Sequence, residues 1–161
     1  MENFLKRITL LIAFCIASIF AGYAQEATPV ENLVKEIVKK YEDTKGVNSI
    51  SVAKGSGLEM VKMMFNKKFG KEFMKGVTAI TVIDYSDASQ EVCQSLRKDV
   101  DGFLTLLQEF NVGKEKEFAD NDYIRSFASV SDDGTFSDFV VAVEDKESKT
   151  IIHMAGKIKV E

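Results

Sequence analysis

Residues 77–84, Val-Thr-Ala-Ile-Thr-Val-Ile-Asp, decide how this chain of 161 residues is expected to fold. The stretch is rich in β-branched residues and is apolar on both faces of an extended chain, which is typical of a strand inside a sheet. Residues 47–53 place Ile50 and Val52 two positions apart and predict a second, shorter strand. The sheet therefore starts with two strands that are separated by a helical segment.

Two helices are predicted on either side of the shorter strand. The first spans residues 29–45, because Thr28 can cap a helix, Pro29 suits the first helical position and Glu31 completes a capping box. The second helix begins after a glycine-rich break and ends near Gly70. Apolar residues recur at helical spacing along both segments, which predicts that each buries one side.

A third helix is predicted after the central strand. Ser86 or Asp87 can cap it, and its apolar residues recur at helical spacing until it closes near Asn111 and Gly113. The residues of this stripe are Val92, Leu96, Val100, Phe103, Leu104 and Leu107.

The last third of the chain has strand patterns. Residues 123–130, 136–144 and 150–160 are the predicted strands, and a hairpin turn at residues 132–135 joins the first two. In the last strand the apolar residues alternate with polar ones. His153 falls on the polar side, which we expect to face solvent.

The order of these elements predicts an α+β fold with two layers. About five strands form a mainly antiparallel sheet in the order α-β-α-β-α-β-β-β, and three helices cover one of its faces. We find no internal repeat and no proline-rich linker, so residues 25–161 are expected to form a single domain.

The first 24 residues have the pattern of a secretory signal peptide. Lys6 and Arg7 give a positive start, residues 8–20 form an uncharged and mostly apolar run, and Ala24 is a small residue at the cleavage position. We expect cleavage before Gln25 and release into the periplasm or to the outside of the cell.

Two other interpretations of this segment are weaker. An uncleaved anchor would need about 20 apolar residues to span a bilayer, and this run is shorter. A lipoprotein signal would use Cys15, but that cysteine lies inside the apolar run and follows the bulky Phe14.

Charge excludes two classes of partner. The chain has a net charge of −4, which becomes −5 once residues 1–24 remove two cations and one anion. An acidic domain does not provide the clustered cations that nucleic acid requires. The same balance disfavours electrostatic binding to anionic membranes.

Cys93 and His153 are the residues that could support nucleophilic or acid–base chemistry. Without residues 1–24, Cys93 is the sole cysteine, so no internal disulfide can form, and its neighbours at helical spacing favour burial. A catalytic thiol needs a histidine partner, and the two residues are far apart along the chain. We therefore predict no catalytic residue.

Metal sites are not predicted either. One histidine and one cysteine exclude the usual zinc sets. Asp120-Asn121-Asp122 resembles part of a calcium loop, but Arg125 and Ser131 occupy the positions that need glycine and glutamate, so it is expected to be a turn.

The methionines admit two interpretations. Thioether groups can coordinate copper(I), but core packing is the favoured role of methionines that lie on or beside an apolar stripe. If that stripe is wider than a sheet can cover, it becomes a surface for a partner. The residues are Met60, Met63, Met64 and Met74.

Carboxylates are abundant but each has a structural explanation as a helix cap, a turn residue or part of a solvated face. They are Asp84, Asp87, Asp99, Asp101, Asp132 and Asp133. Gly55-Ser56-Gly57 before a helix could bind an anion, yet the lysine and hydroxyl residue of a phosphate loop are missing. No cofactor is predicted.

The order of motifs resembles a known family. The motifs are Gly46-Val47, Ile50-Ser51-Val52, the strand that ends at Asp84, the turn Asp132-Asp133-Gly134 and Gly156-Lys157-Ile158. After the signal peptide this layout is similar to the DUF4252-like family of small exported Bacteroidetes proteins, a domain of unknown function. The resemblance covers nearly all of the remaining chain and implies no catalytic residues. Members often carry lipoprotein signals, which residues 1–24 do not fit.

Three hypotheses about function follow. The first is an exported, non-enzymatic domain that binds a protein partner or an envelope component. The second is a small hydrolase that uses carboxylates or His153, and a cleft that joins His153 to an acid would favour it. The third is the carriage of an apolar ligand between helices and sheet.

Overall fold

The computed structural model describes residues 27–110 and 123–159. The predicted signal peptide, the lipoprotein alternative at Cys15 and the turn at residues 120–122 lie outside these ranges. The helices are α1 (Pro29–Lys40), α2 (Gly55–Phe69), α3 (Lys71–Lys75), α4 (Gln90–Asp101) and a 3₁₀ helix (Gly102–Thr105). The strands are β1 (Asn48–Ala53), β2 (Val77–Asp84), β3 (Gln108–Phe110), β4 (Tyr123–Val130), β5 (Thr135–Glu144) and β6 (Lys149–Lys159).

All the described strands form one antiparallel sheet in the order β1-β2-β6-β5-β4-β3. The α+β class and the antiparallel sheet are thereby confirmed. The sheet has six strands rather than about five, because β3 adds to the edge beside β4. At the other edge β1 pairs with β2 along six residues without a bulge, and β1 contains neither a charged residue nor a proline.

The helices lie on both faces of the sheet, whereas all three were expected on one. Ile83 and Ile151 pack under α1, α4 and the 3₁₀ helix, on what we call the α1 face. Their chain neighbours Val82 and Ile152 point the other way and pack under α2 and α3, on the α2 face. Since β2 and β6 are apolar on both sides, a single helical layer would leave apolar side chains in water.

The start of α1 agrees with the predicted capping box. The Thr28 hydroxyl accepts a hydrogen bond from the Glu31 backbone N–H at 3.1 Å, and the Glu31 carboxylate accepts one from the Thr28 backbone N–H at 2.9 Å. The helix ends at Lys40 rather than at residue 45. Residues 41–46 turn back toward β1, and Gly46 adopts a φ of +83° where the chain passes against Asp87.

The third predicted helix is shorter than its apolar stripe. Ser89 caps α4 in place of Ser86 or Asp87, by accepting a hydrogen bond from a backbone N–H at 3.3 Å. The α-helix ends at Asp101, and the 3₁₀ helix then turns the chain into β3. Leu104 consequently points outward, with 48% of its surface exposed.

The three C-terminal strands start and end within one residue of their predicted limits over the described residues. The short helix α3, which follows the predicted end of the second helix near Gly70, connects α2 to β2. Of the helices in the two described ranges, none has the length and apolar character needed to cross a bilayer.

Candidate functional site

The sole histidine is buried and paired with an acid. His153 on β6 has 4% of its surface exposed, and its Nε2 lies 2.8 Å from Oδ1 of Asp138 on β5, which is also buried. The prediction that His153 faces solvent is therefore wrong. Strand alternation assigned the His153 side chain to the correct face of the sheet, but α1 covers that face.

Asp138 is also tied to the start of α1. The Thr28 hydroxyl, which caps that helix, donates a hydrogen bond to Oδ1 of Asp138 at 3.3 Å. The Ser137 hydroxyl lies 3.4 Å from Oδ2. A carboxyl group inside a protein is costly unless it is hydrogen-bonded, and these contacts supply the bonds. Sequence reasoning missed Asp138; the available signal was a single aspartate within an apolar strand.

Two hydroxyl groups lie in the same row of the sheet as His153. Thr81 is directly opposite His153, and Ser51 is directly opposite Thr81. The two hydroxyl oxygens are 2.9 Å apart and hydrogen-bonded to each other. Together with Asp138, which lies diagonally across from His153 on β5, this row contains the residue types of a hydroxyl–histidine–aspartate site. In such a hydrolase, however, the histidine bonds the nucleophile as well as the acid.

A second polar cluster surrounds Glu144 at the other end of the α1 face. The Tyr85 hydroxyl donates a hydrogen bond to Glu144 at 2.9 Å, and Arg97 forms a bidentate ion pair with the same carboxylate. Burial and the nearby charge of Glu144 raise the pKa of Tyr85. Arg97 in turn lies over the Tyr123 ring. These contacts satisfy a buried carboxylate, which is a structural role.

Cys93 is buried, as its apolar neighbours predicted. Its Sγ lies 3.2 Å from Nζ of Lys149 and 3.8 Å from the carbonyl oxygen of Ala88. His153 is bonded to Asp138 instead, so the described contacts do not form a cysteine–histidine pair.

Several predicted carboxylates make ordinary structural contacts. Asp99 accepts hydrogen bonds from Lys40 and from the Tyr41 hydroxyl, and Asp101 pairs with Arg125. Asp133 stabilises the β4–β5 turn, as predicted, and hydrogen bonds from Thr135 lower the pKa of Asp133.

Asp84, Asp87 and Asp132 lie at the end of β2 or in turns. Asp84 accepts hydrogen bonds from Ser86, and Asp132 is exposed in the β4–β5 turn. Asp87 was predicted as a possible cap of α4, but Ser89 takes that place because α4 begins later. In the described ranges, histidine, cysteine and acidic side chains do not come together in threes as a metal would require.

The methionines divide between core and surface. Met74 is buried with 1% of its surface exposed, and Met64 is partly buried, in agreement with core packing. Met60 and Met63 instead lie on the outer side of α2, with 41% and 67% of their surface exposed. Gly55-Ser56-Gly57 forms the first turn of the same helix. The outer side of α2 therefore exposes two apolar side chains.

In comparisons with known proteins, no protein-family model, no curated protein and no solved structure matches this chain.

Proposed function

We propose that this chain is an exported, non-enzymatic domain that binds a protein partner or a component of the cell envelope. The observation that carries the proposal is the exposure of Met60 and Met63 on α2. Methionine is flexible and polarizable, and it is common on surfaces that adapt to a partner. The two side chains lie on the same side of one helix and together give a small apolar surface on which a partner can pack.

The non-enzymatic part of the proposal rests on the contacts of the reactive residues. His153, Cys93 and Glu144 are buried, and each is within bonding distance of another side chain. Groups held in this way link elements of the fold to each other. Because all three are buried, they would have to become accessible before they could act on a substrate.

We propose export because residues 1–24 have the pattern of a signal peptide. We also propose that the chain belongs to the exported family that it resembles. Intact-mass analysis of protein recovered from each cell fraction tests it. We expect a chain that begins at Gln25 in the periplasm or the medium. Recovery of the chain with Met1 intact from the cytosol alone would contradict export.

Binding is tested with the exported protein as an immobilised bait against envelope extract. We expect at least one component to be retained at micromolar concentration and to be displaced by the free protein. Heat-unfolded bait is the control, because a component that it also retains is bound through exposed apolar chain. If the free protein displaces no retained component from the bait, the proposed binding function is wrong.

A small hydrolase is the second candidate, and the His153–Asp138 pair beside Thr81 favours it. A panel of ester and glycoside substrates would be offered to the exported protein and to His153→Asn. Turnover that is present in the native chain and lost in this variant would support the hydrolase. Equal turnover in both proteins would exclude a hydrolase that uses His153.

A further inference from the structure

Positive charge is in excess on one side of the molecule. The segment from Lys54 to Lys75 contains six lysines and two glutamates, whereas acidic residues outnumber basic ones by 23 to 15 in the rest of the chain. This segment forms α2 and α3, which cover a single face of the sheet. A local excess of positive charge therefore lies on a domain that is acidic overall.

The exposed methionines lie within this basic region. Met60, Met63 and Lys67 follow one another at intervals of three and four residues, so they share one side of α2. All three are exposed, and Lys71 and Lys75 on α3 are exposed as well. We call Met60, Met63, Lys67 and Lys71 the methionine–lysine surface.

We propose that the methionine–lysine surface docks an acidic segment of a partner protein. Carboxylates of that segment would pair with the lysines, while an apolar side chain packs on the two methionines. This inference rests on the binding function proposed above and names the surface and the chemistry of the partner. Charge complementarity of this kind speeds encounter and selects partners.

An anionic membrane fits this surface less well than an acidic protein does. A helix that lies in a membrane interface inserts a broad apolar side, rich in large residues. Of the large apolar residues of α2, Leu58, Val61 and Phe65 are buried, and Met64 and Phe69 pack partly against the same core. Met60 and Met63 are the exposed ones, and the net negative charge of the domain opposes approach to anionic lipid.

Site-specific crosslinking in the cells that produce the full chain tests the inference. Met63→p-benzoyl-phenylalanine places a photoreactive group on the methionine–lysine surface. Leu104→p-benzoyl-phenylalanine is the matched control, because Leu104 is similarly exposed but belongs to the 3₁₀ helix on the α1 face. We expect position 63, and not position 104, to yield a protein adduct whose crosslinked peptide is rich in aspartate and glutamate.

Charge reversal then separates electrostatic docking from chance proximity. Lys67→Glu with Lys71→Glu should lower the adduct yield from position 63 about tenfold, because attraction to the acidic segment becomes repulsion. Lys35→Glu with Lys98→Glu reverses two exposed lysines on helices of the α1 face, and it should leave the yield unchanged.

Each other outcome overturns the inference in a recognisable way. Adducts from position 104 alone would leave the binding function standing and remove this surface. Adducts from position 63 with a neutral or basic peptide, with lipid or with a second copy of this chain would remove the acidic partner. So would an unchanged yield in the Lys67/Lys71 variant. Binding of the exported protein to phosphatidylglycerol vesicles that is lost in that variant would assign the surface to lipid. An absence of adducts from both positions would remove this surface, and the bait experiment would then decide whether the binding function stands.

Discussion

The imidazole of His153 and the carboxylate of Asp138 join β6 to β5 on the α1 face, with 2.8 Å between Nε2 and Oδ1. The same Oδ1 accepts the Thr28 hydroxyl, so one carboxylate oxygen connects two strands and the start of α1. This oxygen lies in the interior, where an unpaired polar group is costly.

Replacement of Asp138 should therefore destabilise the domain. In Asp138→Ala the buried His153 and the Thr28 hydroxyl both lose their acceptor, and we expect the free energy of unfolding to fall by about 2 kcal/mol. Urea denaturation measures this. Asp132→Ala removes an exposed turn carboxylate and should change stability by less than about 0.5 kcal/mol. Equal losses in both variants would show that the contact is unimportant.

Tyr85 should make the domain sensitive to alkali. Burial, and secondarily the charge of Glu144, raise the pKa of Tyr85 above its ordinary value of 10.0. Its contribution to stability is complete below about pH 10 and decreases above it, because the unfolded tyrosine then loses its proton while the folded one keeps it. In Tyr85→Phe the free energy of unfolding should fall less steeply with pH in this range. Tyr123→Phe is the control, and identical slopes in all three proteins would disprove the assignment.

Alanine substitutions at Gly46 and Gly134 distinguish the cost of a strained backbone conformation from the cost of a steric clash. Both have positive φ, +83° and +77°, so alanine is strained at each. A Cβ at Gly46 would lie 2.3 Å from the carbonyl oxygen of Asp87, whereas nothing lies within 4 Å at Gly134. We expect Gly134→Ala to cost about 1 kcal/mol. Gly46→Ala should cost at least about 2 kcal/mol more, since the backbone must shift. Thermal and urea unfolding of the two variants provide the comparison, and similar losses would contradict the close approach.

Truncation to alanine should lower the stability of the domain at Met74 but not at Met63. Met74→Ala leaves a cavity on the α2 face and should lower the free energy of unfolding by about 3 kcal/mol. Met63→Ala removes a side chain that already faces solvent, so the change should stay within about 0.5 kcal/mol. Denaturant midpoints at constant m-value measure both effects. A large loss at Met63 would mean that it supports the fold instead of being available to a partner.

Local signals predicted most of the elements. The β-branched run at residues 77–84 is β2 with the same limits, and the box of Thr28 and Glu31 marks the start of α1. β3 was missed because the helical apolar stripe continues to Leu107, and because three residues are too few to show an alternating pattern.

The arrangement of the elements was harder to predict. Strand alternation placed His153 on the correct side but cannot reveal whether a helix covers that side. The contact between His153 and Asp138 depends on the β5–β6 register, which shifts between Phe136 and Asp138. A slip of one residue would turn Asp138 to the other face, so no local pattern could identify the pair.

The outer strand β1 has a practical consequence for handling the protein. Among residues 27–110 and 123–159 its backbone is paired along one side only, and neither a charge, a proline nor a bulge interrupts it. An edge of this kind is a template onto which the strand of another molecule can add. The preparation is therefore expected to lose monodispersity as its concentration rises, while the individual molecules remain folded.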